Sequence, residues 1–288
     1  MPYESLHISK AKINAGATTP FKLFHITDCH ICLCDERNDL RKRELAENRN
    51  KAFASTQVKF FEGALEYAKA NNLTILSTGD ICDFVSHANF DYVKKSFAGI
   101  DYIFAVGNHE FSHYVGEAVE DEKYKMRSFK DVQKMHPKNN LRFDSRIING
   151  VNIITLDNVY YNFTSLQTTS LEREICRGYP IILAMHNPIH TVELYDYMIL
   201  KRKSPCAYLV GTPEKLLKCY PPDRYVQQRP DKETLEFIEF ASKQPLIKGV
   251  IAGHLHFDYE AVLPWHGGIP QICTCACFYN AAREIEII

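Results

Sequence analysis

Nearly unbroken apolar runs recur along the chain, separated by longer stretches of mixed polarity. Six of them read as strands: residues 22–27 (KLFHIT), 73–78 (LTILST), 102–107 (YIFAVG), 151–156 (VNIITL), 181–186 (IILAMH) and 249–254 (GVIAGH). Continuous rather than alternating hydrophobicity is expected of strands covered on both faces. Between the first two runs, Phe53, Val58, Phe61, Leu65 and Ala68 fall at helical spacing, and Asn71-Asn72 supplies a stop. Further helices are predicted over 86–98, 117–135 and 231–243, with Asp231 placed to cap the last. Strands alternating with helices predict an α/β protein. The closing runs YEAVLPW, IPQICTCACF and REIEII have no helix between them and predict a strand-rich end.

Composition adds limits. The 288 residues are 45% hydrophobic and 24% charged, which suits a globular protein with a sizeable core. We read residues 1–288 as a single domain. An irregular insertion at 187–230, rich in Pro, Tyr, Lys and Arg, is either a surface excursion or a lid over a site. The formal net charge is −1 and no basic stripe appears, which disfavours nucleic acid as a partner. No apolar run is long enough for a membrane span, and the start of the chain lacks a basic-then-apolar leader, so a cytoplasmic location is expected. Ten cysteines include Cys273, Cys275 and Cys277 at period two, which would place three thiols on one face of a strand. That pattern suits small buried hydrophobes better than a tetrahedral zinc site.

The chemistry gathers behind the apolar runs. Asp28 and His30 follow the first, Gly79-Asp80 and Asp83 the second, and Gly107-Asn108-His109-Glu110 the third. His186 ends the fifth, and Gly253-His254 with His256 closes the sixth. Ligands bind at the carboxyl ends of strands in open α/β sheets, so groups far apart in sequence can converge there. Each motif alone is commonplace, because Asp, Asn and Gly are ordinary turn residues. Their shared position behind buried strands is not. Imidazole, carboxylate and amide donors suit Mn, Fe or Zn, and Asp28, His30, Asp80, Asn108, His186, His254 and His256 are too many for one ion. Two ions about 3.5–4 Å apart, sharing a carboxylate, fit phosphate chemistry. Asp80 and Asp83, two carboxylates three residues apart, then have a cation to neutralise them.

The ordered blocks D-x-H, G-D-x-x-D, G-N-H-[DE], a lone His and G-H-x-H resemble the calcineurin-like metallophosphoesterase superfamily, over residues 22 to 256. The resemblance implies a fold of two facing mixed β-sheets flanked by helices. It implies that Asp28, His30 and His256 hold one metal, that Asn108, His186 and His254 hold the other, and that Asp80 bridges them. His109 would face the scissile phosphate and protonate the leaving oxygen, and Asp83 would hydrogen-bond His109. A hydroxide held between the ions would attack phosphorus in line. The glycines before Asp80, Asn108 and His254 are expected to permit the sharp turns that aim these side chains inward. Phe84 and Val85 stand where the protein phosphatases of the family carry Arg and Gly, so a small phosphodiester or phosphomonoester substrate, such as a nucleotide, is expected instead. A non-catalytic binding module, a nuclease of the same superfamily and a cysteine-based zinc or redox protein are the alternatives. His25 is read as a core residue. His113 and His190 are candidates to line the pocket, and Lys201, Arg202 and Lys203 are read as a solvated charge run.

Overall fold

The computed structural model describes residues 5–117 and 121–288. The strands are β1 (His7–Ile13), β2 (Phe21–Ile26), β3 (Thr74–Ser77), β4 (Tyr102–Phe104), β5 (Phe143–Ile148), β6 (Val151–Leu156), β7 (Ile181–Met185), β8 (Ile247–Ala252), β9 (Tyr259–Leu263), β10 (Ile269–Cys273) and β11 (Ala281–Ile287). They form two mixed sheets, ordered β1-β11-β2-β3-β4 and β5-β6-β7-β8-β10-β9. β2, β3 and β4 run parallel in the first, and β6, β7, β8 and β10 run parallel in the second. The sheets face each other through an apolar layer. Leu23, Leu76, Ile103 and Ile285 from one meet Val151, Ile153, Ile182, Ile251 and Ile272 from the other.

The outer faces carry helices. In chain order these are α1 (Leu40–Ala52), α2 (Gln57–Ala70), α3 (His87–Ser96), α4 (Glu122–Lys125), α5 (Phe129–Met135), α6 (Ser165–Cys176), α7 (Val192–Asp196), α8 (Glu214–Leu217), α9 (Pro222–Gln228) and α10 (Lys232–Ser242). α2, α3 and α5 lay Phe61, Leu65, Val93 and Val132 against Phe24, Ile75 and Phe104 of the first sheet. α6 and α10 lay Leu171 and Phe237 against Ile154, Leu183 and Val250 of the second. The buried strands β2, β3, β4, β6, β7 and β8 thus alternate between the inner layer and a helix-covered face. Both environments are dry, and this is why the runs read as continuous in hydrophobicity.

Differences from the sequence reading have local causes. Phe53 does not belong to α2. It caps α1, and Ala54 and Ser55 at φ 55° turn the chain before α2 begins. α1 itself is charged on almost every face and has no apolar stripe to announce it. Of the helix expected over 117–135, residues 118–120 lie outside the described residues, and the rest divides into α4 and α5. The Cys-rich strand stops at Cys273, while Cys277 sits in a short 3₁₀ turn. All ten cysteines are free, and most are buried. Residues 187–230 hold α7, a π-helical turn, α8 and α9 rather than irregular chain. Among the described residues no helix is long and apolar enough to cross a membrane.

Candidate metal centre

The loops leaving β2 and β3 run side by side beyond the sheet. Asp28 N–H donates to the Gly79 carbonyl, His30 N–H to Asp80, and Ile31 N–H to Ile81, at 2.8–2.9 Å. Glu110 ties in the loop after β4. Its buried carboxylate accepts from the N–H groups of Asp80, Ile81, Cys82 and Gly107 at 2.6–3.1 Å. The loop after β8 joins through His254 N–H, which donates to Asp28 Oδ2 at 2.9 Å.

These contacts gather the predicted ligands into adjoining groups, of which Asp80, Asn108, His254 and His256 line one cavity. His30 Nε2 lies 3.3 Å from His256 Nε2, and Asp28 Oδ1 lies 3.2 Å from the latter. His186 Nε2 lies 3.1 Å from His254 Nδ1 and 3.2 Å from Asp80 Oδ2. The same Asp80 oxygen is 3.9 Å from His30 Nε2, so it stands between the two groups. Asn108 lines the cavity beside them.

The donor set fits cations. Asp28 Oδ1 and Asn108 Oδ1 are buried and accept no hydrogen bond, an arrangement that costs free energy unless something electropositive occupies the space. The histidine ring nitrogens face one another where only one of each pair can carry a proton. Their outer nitrogens are committed elsewhere. His30 Nδ1 bonds the Asp83 carboxylate at 2.7 Å, His186 Nδ1–H donates to the Thr78 carbonyl at 2.6 Å, and His254 Nε2 meets the Tyr161 hydroxyl at 2.9 Å. Such outer partners fix which nitrogen a metal would receive. Burial pushes the Asp28 carboxyl up, but His256 and His30 beside it hold it well below the usual range. Burial likewise lowers His186, and Asp80 and Asp28 outweigh it, raising its pKa to about 9.

The backbone is bent to suit. Asp28, His30, Asp80, His254 and His256 all have φ between 49° and 68°. Strained angles of this kind persist where surrounding structure holds them, and they cluster at functional sites. Gly79, at φ 91°, makes the expected turn before Asp80, but the other two glycines serve a different purpose. Gly107 and Gly253 have no positive φ; they allow close approach. A Cβ on Gly253 would lie 2.0 Å from Thr27 Oγ1, and one on Gly107 would lie 2.2 Å from Asp80 Oδ1.

His109 lies on the cavity wall, with its N–H on Asp80 Oδ1 at 2.8 Å. Asp83 does not hold it in the way the sequence suggests. His109 Nδ1–H donates to the Asp83 backbone carbonyl at 2.8 Å, with the carboxylate 3.3 Å away. The carboxylate instead binds His30 and a bidentate Arg49, at 2.6 and 2.8 Å. Arg49, Tyr161 and Glu110's four-fold acceptor role escaped the sequence. Glu110 was visible inside its motif, but Arg49 sits in a charged helix and Tyr161 in a turn with nothing to mark them. His113 and His190 do not line the cavity. His25 is a core residue between the Thr78 and Thr274 hydroxyls. Trp265 packs beneath the second sheet.

Comparison with known proteins identifies the family. A family model described as calcineurin-like phosphoesterase matches residues 21–258. Among solved structures, a dimetal phosphatase from Danio rerio is 12% identical with a TM-score of 0.47, over 90% of this chain and 88% of that one. A Thermus thermophilus protein is 8% identical with a TM-score of 0.44, over 90% and 91%. A phosphopantetheinyl hydrolase from Mycobacterium tuberculosis is 12% identical with a TM-score of 0.39, over 89% and 90%. The search of curated proteins gave no match. The family match spans most of the chain and includes every block that supplies the gathered Asp, Asn and His side chains, and the chain belongs to the calcineurin-like phosphoesterases, a family that cleaves phosphate esters with bound metal ions.

Proposed function

We propose that the cavity hydrolyses a small phosphodiester or phosphomonoester with two cations, of Mn, Fe or Zn type. Asp28, His30 and His256 would hold one, and Asn108, His186 and His254 the other. The observation that carries this reading is the Asp80 oxygen poised between the two histidine groups. Bound there, the cations would supply Lewis acidity toward the phosphoryl oxygens and lower the pKa of water.

The chain's own groups do the rest. His109 has Nδ1 occupied by the Asp83 carbonyl, which leaves Nε2 as the nitrogen for substrate. Burial lowers its pKa, but Asp80 and Asp83 outweigh this and raise it, the direction a proton donor needs. As water oxygen bonds to phosphorus, the opposite phosphorus–oxygen bond breaks and His109 delivers its proton to the departing oxygen. Asp83, clamped by Arg49, fixes His30, and Tyr161 fixes His254. Glu110 holds the loops of Asp80 and Asn108 in register.

The test is one panel on metal-analysed protein, with a chromogenic diester and monoester and added Mn, Fe or Zn. Asp80→Asn should lose metal and activity together. His109→Ala should keep its metal and lose about 10²–10⁴-fold in kcat. Normal turnover by both variants would refute the assignment, and a wild type that binds no metal would refute the reading as a whole.

A further inference from the structure

The cavity above the ligands encloses about 530 Å³, ample for a drug-sized molecule and far more than one phosphate needs. Its outer wall comes from residues 187–230, which contribute Met198, Tyr208, Arg224 and Gln227, while Tyr160 closes another side.

This wall is built in rather than hung over the site. Leu194, Met198, Leu209 and Leu217 form a small core of their own, seated on Ala252 and Leu255 at the end of β8. The stretch carrying Tyr208 is tied to α9. Tyr208 N–H donates to Gln228 Oε1 at 3.0 Å, and Gln228 Nε2 donates to Cys206 Sγ at 3.2 Å. Tyr208 itself has φ 57°, uncommon for a bulky residue and costly. That backbone delivers its ring to the cavity, 5.7 Å from the His254 ring and nearly perpendicular to it. The Arg224 guanidinium lies 5.8 Å over the Tyr208 ring and donates to Gln227 Oε1 at 2.6 Å. A flat aromatic face is thus bordered by a guanidinium and an amide.

Charge narrows the ligand. Arg224 stands 3.6 Å from the Asp223 carboxylate, and Glu117 lines the cavity as well. The wall has no surplus positive charge for a second phosphate. It offers a π-face, donors and acceptors, which suit a neutral planar ring with a polar edge.

We propose, on the phosphoester reading above, that this wall is a leaving-group subsite for a phosphate ester whose alcohol carries a heteroaromatic ring. Tyr208 stacks on the ring, and Arg224 and Gln227 read its edge.

The experiment compares kcat/KM of the metal-loaded enzyme for a purine nucleoside monophosphate, for the same sugar phosphate without its base, and for that sugar as a bisphosphate. Wild type should prefer the base-bearing ester by at least about tenfold, as the loss of one base–aromatic stack predicts. In Tyr208→Leu and in Gln227→Ala that preference should shrink several-fold, through KM more than kcat. Gln227→Ala keeps the test decisive if the leucine variant disturbs His254. Equal kcat/KM for the esters with and without base, a preference for the bisphosphate, or a preference unchanged in both variants would overturn the subsite alone. No hydrolysis of these esters or of the chromogenic ones, with any metal, would overturn the phosphoester reading beneath it.

Discussion

His136 offers a clean measurement of what burial costs this fold in acid. The ring is stacked on Phe104 at 3.6 Å, and its Nδ1 accepts from the Tyr102 hydroxyl at 2.8 Å. Its Nε2 is buried without a hydrogen-bond partner. A second proton would put a charge in a dry pocket and turn the accepting nitrogen into a donor. Burial accordingly pushes the His136 pKa down to about 3. Above the ordinary value of about 6.5 the imidazole is neutral in folded and unfolded chains alike, so its titration contributes nothing there. Below it the unfolded chain takes up the proton and the folded chain does not, so stability falls as pH falls, until the folded pKa is reached. At 1.36 kcal/mol per unit, the loss is about 2.7 kcal/mol by about pH 4.5. The assay is urea unfolding of wild type and His136→Phe between about pH 7.5 and 4.5. At the upper end the variant should be less stable by about 1 kcal/mol, because the Tyr102 hydroxyl has lost its partner. At the lower end the order should reverse, the gap having moved by about 2.7 kcal/mol. His25, which burial and then Arg283 push down to about 3, titrates in both proteins and cancels from the comparison. A gap that stays constant across the range would refute the reasoning.

Three substitutions probe the scaffold of the site. Glu110→Gln turns one of two acceptor oxygens into a donor facing backbone N–H groups; we expect a loss of about 2 kcal/mol, or roughly 4–8 °C in Tm, and an unchanged Tm would contradict the bridging role. Gly253→Ala drives a methyl against Thr27 and the Asp28 carboxylate; the protein should fold, about 1–3 kcal/mol less stable, with reduced metal content, and full metal loading would show that the close approach is dispensable. Arg49→Met leaves Asp83 buried with the His30 and His109 rings, at 2.7 and 3.3 Å, but without its guanidinium. Thermal unfolding should drop by about 2 kcal/mol and metal affinity should weaken; if neither moves, Arg49 does not position His30.

Much of the gathered cluster was legible because its Asp, Asn and His side chains follow apolar runs. The strand over 151–156 coincides with β6, and the runs ahead of Asp28, Asp80, Asn108, His186 and His254 all end within a few residues of the observed strands. What was hidden lacks that contrast. β1 and β5 are half-exposed along most of their length and show no continuous apolar run. Arg49 reaches Asp83 from a helix with no apolar face, and a salt link over 34 residues leaves no trace in local spacing. Asp83 shows the limit of reading roles from motifs, because the partner of its carboxylate depended on where α1 lay.

The left-handed ligand residues carry an implication for engineering. Asp, Asn and His are the side chains that tolerate those backbone angles best after glycine, and they are also oxygen and imidazole donors. Grafting cysteine or glutamate at positions 28, 30, 80, 254 or 256 would bring a steric cost of at most about 1–2 kcal/mol at each. The polypeptide path thus disfavours a thiolate donor at these five positions.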